Sequence, residues 1–168
     1  DIPTIFRGTL RRPGYCEAWN VFVKLGMTED SYNISGVNHM TWRDFIDSFL
    51  FFDESKSVED KLQEYLGLSN EVMDKLEWLG IFENTLIGME KATPAQVLQK
   101  LTESKWSLES NDKDMIVMQH QFSYTFNGEE KSLYSSLVLK GKDQTHTAMS
   151  MTVGLPVAIA AKLILQGK

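Results

Sequence analysis

The chain has 168 residues and a net charge of −6, with 17 Lys and Arg against 23 Asp and Glu. Its 42% hydrophobic residues, with only 11 Gly and 4 Pro, argue against intrinsic disorder, and the acidic balance argues against nucleic acid as a partner. The single cysteine, Cys16, excludes an intrachain disulfide framework and predicts a reducing, cytoplasmic setting.

The start of the chain predicts a strand followed by a helix. Residues 2–9 are rich in β-branched and aromatic side chains, which favour a short strand. A Pro-Gly turn follows. Apolar residues then recur at helical spacing from Tyr15 to Leu25, and Gly26 ends the pattern.

Residues 28–110 predict a block of helices without a strand. Thr41 is suited to cap the N-terminus of one helix, and a second helix begins at Ser57 or the residue after it. A third has its apolar stripe within residues 70–79. The fourth begins at the Thr-Pro pair at Thr93, where proline occupies the first helical position.

The pattern after this block changes to the two-residue period of a strand. Residues 114–126 and 132–140 flank Asn127-Gly128, a strong signal for a two-residue hairpin turn. A helix rich in Ala, Met and Leu follows from Thr145. The sequence therefore predicts a β-hairpin followed by a helix.

This order of elements predicts the fold class and the domains. We expect an α+β protein: an α/β-type domain with a mixed or antiparallel sheet, plus an inserted all-helical subdomain. Residues 1–27 and 111–168 would form the discontinuous α/β domain, and residues 28–110 would form the insertion.

The longest apolar run, Val153–Leu165, is interrupted by Gly154, Pro156 and Lys162. We expect it to be too short and too broken to span a bilayer, and therefore expect no membrane partner. No signal peptide is visible at the start of the sequence. A helix-like run so close to Lys168 favours the interpretation that this is a piece of a longer protein.

The first candidate site is the segment that contains Arg7, Gly8, Thr9 and Arg11, at the end of the predicted strand. Arginine offers a planar, two-pronged donor that suits a carboxylate, glycine permits close approach of the backbone, and threonine adds a hydroxyl. The alternative is that these arginines are solvated surface beside a turn. Composition alone favours that alternative.

The second candidate is Thr152 to Pro156, where glycine and proline interrupt an otherwise strong helical pattern. One interpretation is a helix start whose backbone N–H groups face a ligand. The other is close packing of the helix on a sheet at Gly154, which the segment alone favours.

Other kinds of site have no sequence signal. His39, His120 and His146 are far apart and no second cysteine exists, so we expect no metal site. Cys16 has no basic neighbour that would make it a nucleophile. Neither a Gly-x-Gly-x-x-Gly nor a Walker sequence is present, so a nucleotide site of known sequence type is absent from the chain.

Taken together and in order, five segments resemble the saccharopine dehydrogenase family, in particular the glutamate-forming enzymes, also called saccharopine reductases. The segments are Phe6 to Arg11, Pro13-Gly14, Phe22 to Gly26, Lys113 to Met118 and Thr152 to Pro156. The resemblance implies an oxidoreductase of lysine metabolism that acts on the CH–NH group of saccharopine with NAD or NADP. It also implies that an N-terminal Rossmann domain binds this cofactor, so the present chain would be the substrate-binding part, inactive alone.

The resemblance also implies site residues. It assigns Arg7, Gly8 and Thr9 to substrate binding, with Arg7 on a saccharopine carboxylate and Arg11 as a second anchor. Thr152 and Gly154 would line the cleft where substrate meets nicotinamide. No catalytic acid or base is implied.

Two positions depart from the family pattern. The family usually has an aromatic residue where Arg12 stands and a basic residue where Met151 stands. These departures leave open two possibilities: an altered pocket, or a related imino-acid substrate.

The alternative function, from another class, is a non-catalytic domain that binds a carboxylate ligand or dimerises. A homodimer is compatible with both functions.

Overall fold

The computed structural model describes residues 2–168, and in this range six α-helices, one short 3-10 helix and one β-hairpin form. The elements are α1 (Tyr15–Leu25), the 3-10 helix (Val37–His39), α2 (Trp42–Asp47), α3 (Val58–Leu66), α4 (Asn70–Leu79), α5 (Pro94–Trp106), β1 (Met115–Phe126), β2 (Glu129–Lys140) and α6 (Ala148–Leu165). They divide into a helical unit, which ends at Trp106, and a hairpin unit, which begins at Ser107. The combination of helices with an antiparallel sheet confirms the α+β class.

The helical unit is built around one apolar core. The helices α1 to α5 each place apolar side chains three or four residues apart on one face, which buries that face. Phe22 from α1, Phe45 from α2 and Leu62 from α3 are almost completely buried, as are Leu76 from α4 and Leu98 from α5. The predicted block of helices without a strand is confirmed over residues 28–110 as the structure describes them.

The N-terminus of α2 has the cap that the sequence predicts. The Thr41 hydroxyl accepts from the Asp44 backbone N–H at 3.1 Å, while the Asp44 carboxylate accepts from the Thr41 backbone N–H at 2.9 Å. These reciprocal bonds form a capping box. Because the Thr41 backbone and hydroxyl donate to it, the Asp44 carboxyl has a pKa below its ordinary value.

Replacing Thr41 with alanine should reduce the free energy of opening of α2 by about 1 kcal/mol, because a backbone N–H loses its partner. Native-state amide exchange at α2 measures this. Thr41→Ser keeps the hydroxyl and should retain most of the stability. Since the pKa of Asp44 is lowered, the contribution of its carboxylate is present above the unfolded pKa and is lost as pH falls through the folded one. Equal protection in the alanine and serine variants would contradict this role.

The hairpin unit contains a two-residue turn, as predicted. β1 and β2 pair antiparallel from Met115 opposite Lys140 to Phe126 opposite Glu129. Asn127 and Gly128 both have positive φ, 54° and 80°, which is the backbone that a two-residue hairpin turn needs to match strand twist. The predicted hairpin is confirmed.

Two local expectations are wrong. Residues 2–9 form no strand in the described structure, and Ile5 and Phe6 are 87% and 92% exposed. A strand needs a neighbour for its backbone N–H and C=O groups, and no described segment pairs with this one. The second concerns the apolar run near the end of the chain: α6 continues through Gly154 and Pro156, so these residues do not break it.

α6 is therefore more continuous than the sequence predicts. Within the described residues it is one helix with the length and apolar composition, at a mean hydropathy of 1.8, to cross a membrane. Core helices of soluble proteins and signal sequences share this length and composition. The length of α6 therefore does not by itself assign it to a membrane.

The structure groups α1 with the helical unit, in which α1 packs against α4. The assignment of residues 1–27 and 111–168 to one discontinuous domain, with residues 28–110 inserted, stays a prediction.

Candidate functional site

The predicted site residues lie in both units. Arg7, Gly8, Thr9 and Arg11 belong to the segment before α1 in the helical unit, and Thr152 and Gly154 lie within α6 of the hairpin unit. The first four share one segment of chain and the last two share one helix.

Arg7 carries a positive charge that nothing in the described structure neutralises. The segment from Arg7 to Thr9 is exposed. Among the described residues, no ion pair or side-chain hydrogen bond involves the Arg7 guanidinium. A Cβ at Gly8 would lie 3.4 Å from the Phe6 ring, an ordinary contact. The arginine is thus available to a carboxylate and has no visible role in holding the fold.

Arg11 is held more firmly than Arg7. Its Nη1 donates to the Leu10 carbonyl at 2.9 Å, and its Cζ lies 5.4 Å from the centroid of the Tyr15 ring. Tyr15 in turn stacks on Trp19 and contacts Trp106, at centroid distances of 6.2 and 6.4 Å. This cation–π contact ties Arg11 to an aromatic cluster. The guanidinium keeps further N–H donors for a ligand.

The join between this segment and α1 is also fixed. The backbone N–H of Tyr15 donates to the Arg12 carbonyl at 3.1 Å. Gly14 has φ of 79°, a left-handed conformation that favours glycine, and a Cβ there would crowd the Lys75 side chain at 3.0 Å. The Pro-Gly turn therefore has the conformational role expected from the sequence.

A carboxylate caps the N-terminus of α6. Asp114, immediately before β1, accepts from the backbone N–H groups of Ala148 and Met149 at 2.7 and 2.9 Å. The Thr147 hydroxyl accepts from the Ser150 N–H at 2.9 Å. A negative charge at this end of a helix is favourable. These contacts attach the start of α6 to the start of β1.

This cap tests the interpretation of Thr152 to Pro156 as a helix start that faces a ligand. α6 begins at Ala148, so Thr152 and Gly154 lie inside the helix rather than at its start. The N–H groups at the true start are occupied by Asp114 and Thr147. The interpretation in which a helix start presents free N–H groups to a ligand is therefore wrong.

The structure also gives no support to the interpretation in which the helix packs closely on a sheet at Gly154. A Cβ added at Gly154 would meet no described atom within 4 Å, so no neighbour in the described structure requires a glycine there. The Thr152 hydroxyl donates to the Ala148 carbonyl at 2.9 Å, within the helix. Their predicted place at the edge of a cleft stays a prediction.

Asp114 is the structurally important residue that sequence reasoning missed. It belongs to a segment quoted for the family resemblance, but its partners are 34 and 35 residues away. Only the folded structure brings them together. An acidic residue directly before a strand, with a helix further along the chain, is too common a pattern to have identified it.

Asp114→Ala should weaken the first turn of α6 by about 1 kcal/mol, because two backbone N–H groups lose their acceptor. Amide exchange at residues 148–152 in the full-length protein measures this. Asp114→Asn keeps an acceptor but no charge, so it should fall between the alanine variant and the unaltered protein. Unchanged exchange in the alanine variant would contradict the role of the cap.

A second acidic residue near α6 stabilises the preceding turn. The Asp143 carboxylate accepts from the backbone N–H groups of His146 and Thr145 at 2.6 and 2.9 Å. Mainly through the His146 N–H, these bonds lower the pKa of Asp143 to about 2. This stabilisation is present above the unfolded pKa of the carboxyl and is lost as pH falls toward 2. The arrangement is a turn rather than a reactive site.

The described residues show no cluster of His, Cys, Asp and Glu that could hold a metal ion. Two grooves, each of about 300 Å³, lie on the helical unit. The first is lined by Trp19 and Leu98 and is largely apolar, and the second includes Glu17 and Lys24. Neither groove contains Arg7. The exposed arginine segment is therefore the best candidate for binding an acidic ligand.

Comparison with known proteins gives consistent matches. A family model described as "Saccharopine dehydrogenase C-terminal domain" matches residues 1–168. Alpha-aminoadipic semialdehyde synthase, mitochondrial, from Rattus norvegicus is 36% identical over 177 residues, which cover 98% of this chain and 18% of the relative. Saccharopine dehydrogenase (NADP(+), L-glutamate-forming) from Saccharomyces cerevisiae is 30% identical over 176 residues, which cover 99% of this chain and 39% of the relative. The chain thus spans less than two fifths of either relative's length.

Proposed function

Because the chain belongs to the saccharopine dehydrogenase C-terminal domain family, we propose that it is the substrate-binding portion of an oxidoreductase that acts on saccharopine. The observation that carries the proposal is the family match over all 168 residues. The charge of Arg7, unpaired among the described residues, supports it from the structure, because saccharopine is an amino acid with several carboxylates.

The reaction sets what this chain must do. Oxidation of the CH–NH group removes a hydride and a proton and leaves an imine, which water splits into glutamate and aminoadipate semialdehyde. NAD or NADP accepts the hydride, and the name of the yeast relative favours NADP. The part of the enzyme represented here holds the substrate so that its reacting carbon is correctly placed, a contribution of positioning.

Arg7 is the residue on which the positioning role depends. Its guanidinium can bind a carboxylate with two parallel N–H donors, and Thr9 can orient the same group through its hydroxyl. Gly8 allows the substrate to approach the backbone. Arg11, held against the Tyr15 ring, is a second anchor whose position is already fixed before substrate arrives.

The described residues do not fit the pyrophosphate of a nicotinamide cofactor. No glycine-rich loop is present in the sequence. The N-terminus of α6, where a phosphate could accept backbone N–H bonds, already holds the Asp114 carboxylate. We propose that the cofactor is bound mainly by an N-terminal domain outside these 168 residues, and we expect these residues alone to be inactive.

The domain bounds, the cleft residues and the cellular setting are inferred from the sequence. The substrate domain comprises residues 1–27 and 111–168, with the helical insertion at residues 28–110, and Thr152 and Gly154 line its cleft. The setting is cytoplasmic, with no membrane or nucleic acid as a partner. The animal relative's name places that protein in mitochondria, so fractionation of cells that express the full-length protein decides between the two compartments.

We propose that the enzyme is a homodimer. An exposed apolar face of the hairpin supports this proposal. Alternate residues of β1 and β2 place Met118, Phe122, Leu133 and Leu137 on one face, and each is 41–53% exposed. A two-stranded sheet is stable only when such a face is covered. If this face only served dimerisation, sedimentation would show a dimer unaffected by saccharopine and the protein would have no oxidoreductase activity.

The activity is tested by following nicotinamide reduction by the full-length protein with saccharopine and its nearest analogues. We expect reduction with saccharopine and with one of the two cofactors, and none with the 168-residue chain alone. Absence of reduction by folded full-length protein with both NAD and NADP would overturn the proposed function. Faster reduction with an analogue would instead assign the altered substrate that Arg12 and Met151 leave open.

A further inference from the structure

Arg11 lies against an aromatic side chain, whereas Arg7 does not. The Arg11 Cζ atom is 5.4 Å from the centroid of the Tyr15 ring, within the roughly 6 Å over which a ring face attracts a cation. In the described part of the chain, no ion pair, side-chain hydrogen bond or ring contact involves Arg7. The two arginines assigned to substrate carboxylates therefore differ, because the side chain of Arg11 is held by another residue.

The Tyr15 ring is held in turn by other aromatic residues of the helical unit. It stacks on Trp19, with the two planes 4° apart and the centroids 6.2 Å apart, and it lies 6.4 Å from the Trp106 ring. Trp19 meets the buried Phe22 edge to face at 5.5 Å. Tyr15, Trp19 and Phe22 are three or four residues apart and share one face of α1. The ring that Arg11 contacts is therefore connected to the apolar core.

The turn before α1 brings the arginine to this ring. Gly14 has the left-handed φ of 79° that glycine adopts without steric cost. The Tyr15 backbone N–H donates to the Arg12 carbonyl at 3.1 Å. Tyr15 is the first residue of α1, so the chain turns immediately before it. Arg11, on the segment that enters the turn, reaches the face of the ring.

The contact with the ring leaves Arg11 able to bind a carboxylate. Its Nη1 donates to the Leu10 carbonyl at 2.9 Å, and the attraction to the ring acts on the charge of the guanidinium. The remaining N–H groups can donate to both oxygens of a carboxylate. An exposed arginine loses rotamer freedom when a ligand fixes it. Because Tyr15 and Leu10 already restrict Arg11, part of that loss precedes binding.

We propose that Tyr15 is a positioning residue for substrate binding, whose ring holds the Arg11 guanidinium in the orientation that receives a substrate carboxylate. This proposal rests on the proposed function, because it takes Arg11 as the second substrate anchor. Tyr15 acts through Arg11 and does not itself touch the substrate. The alternative is that the ring only packs α1 against α5 through Trp106, in which case its loss would change stability without acting through Arg11.

Steady-state kinetics of the full-length protein with saccharopine test this role. Tyr15→Leu removes the ring, and we expect KM to rise about two- to fivefold, the size of an exposed cation–π contact, with little change in kcat. Tyr15→Phe keeps the ring and should leave KM close to that of the unaltered protein. Tyr65→Leu is the matched control, since it makes the same change at an exposed tyrosine of α3 that contacts Phe51, and it should leave KM unchanged.

A double-mutant cycle separates positioning from packing. In the Arg11→Ala background the ring has no guanidinium to hold, so Tyr15→Leu should cause no further rise in KM. The same rise in both backgrounds would overturn the proposal, because Tyr15 would then act by another route. An unchanged KM for Tyr15→Leu alone, or an equal rise for Tyr15→Phe, would also overturn it. Should Tyr15→Leu fail to fold, Tyr15→Met replaces it in the same cycle, because methionine fills irregular apolar space.

The outcomes for this proposal and for the proposed function are distinguishable. Nicotinamide reduction with a KM that does not depend on Tyr15 would refute the positioning role alone. If the unaltered protein does not oxidise saccharopine, calorimetric binding of glutarate, a plain dicarboxylate, replaces the kinetics in the same variants. A Kd for glutarate that rises with Tyr15→Leu only when Arg11 is present would support the positioning role without the proposed function. A Kd independent of Tyr15, or no binding of glutarate, would overturn both.

Discussion

Replacing Arg7 with alanine in the full-length protein should raise KM for saccharopine by about 10- to 100-fold, with a smaller change in kcat. A charge-assisted hydrogen bond contributes about 1.5–3 kcal/mol, and each 1.4 kcal/mol corresponds to about a tenfold change in affinity. The loss appears in KM if Arg7 holds a carboxylate that is the same in the ground state and the transition state. Steady-state kinetics with saccharopine measure both constants.

Two variants make the Arg7 experiment specific. Arg7→Lys keeps the charge but loses the planar pair of donors, so KM should rise less than in the alanine variant. Lys24→Ala removes an exposed cation of α1 that has no assigned substrate contact, and its effect should stay within about threefold. Because Arg7 has no partner among the described residues, the alanine variant should fold normally. An unchanged KM for Arg7→Ala would refute the assigned role.

Gly141→Ala should disrupt the start of α6 and cost about 1–3 kcal/mol, the range for overpacking. The Gly141 backbone N–H donates to the Asp114 carbonyl at 2.8 Å. A Cβ at Gly141 would overlap the Asp114 Oδ1 atom and lie 3.0 Å from the Ala148 nitrogen. The carboxylate would have to leave the two N–H groups that it caps. Faster amide exchange at residues 148–152 in the full-length protein is the expected result.

A double-mutant cycle tests the cause of this loss. Asp114→Ala removes the atom that the new methyl group would overlap, so Gly141→Ala should cost less in that background than alone. If the two effects add without interaction, the clash with Asp114 is not the source of the destabilisation. If Gly141→Ala alone leaves exchange unchanged, the tight packing at this junction is not maintained in solution.

Local signals explain which parts of the fold the sequence predicts. The Thr41 hydroxyl satisfies the helix N–H group three residues ahead, and Asn127-Gly128 sets a turn through its own backbone preference. Such effects act within a few residues and are visible in the sequence. The helices of the helical unit are predictable for the same reason, because the spacing of apolar residues within each helix is a local pattern.

The sequence predictions fail where the local structure depends on residues that are distant in the chain. Residues 2–9 have strand composition, but a strand also requires a partner, and no described segment pairs with them. Pro156 lies in the interior of α6, where its helix-breaking tendency does not end the helix. Asp114 acquires its role only when the fold brings it to Ala148.

The candidate site divides in the same way. The chemistry of arginine made Arg7 a candidate for binding a carboxylate, but composition alone favoured solvated surface. The order of several short motifs then favoured the substrate interpretation, and the match to the family model confirmed the family. The contacts of Arg11 with Tyr15 required the folded structure, since no sequence pattern predicts which ring an arginine will contact.

Titration calorimetry of saccharopine binding to the full-length protein and to its Arg7→Ala variant tests directly whether Arg7 holds a substrate carboxylate. Binding separates recognition of the carboxylate from the chemistry that follows it. We predict that the unaltered protein binds saccharopine and that Kd rises by about 10- to 100-fold in the variant. The same Kd for both proteins would show that Arg7 does not hold the substrate, and no binding to the unaltered protein would refute saccharopine as its ligand.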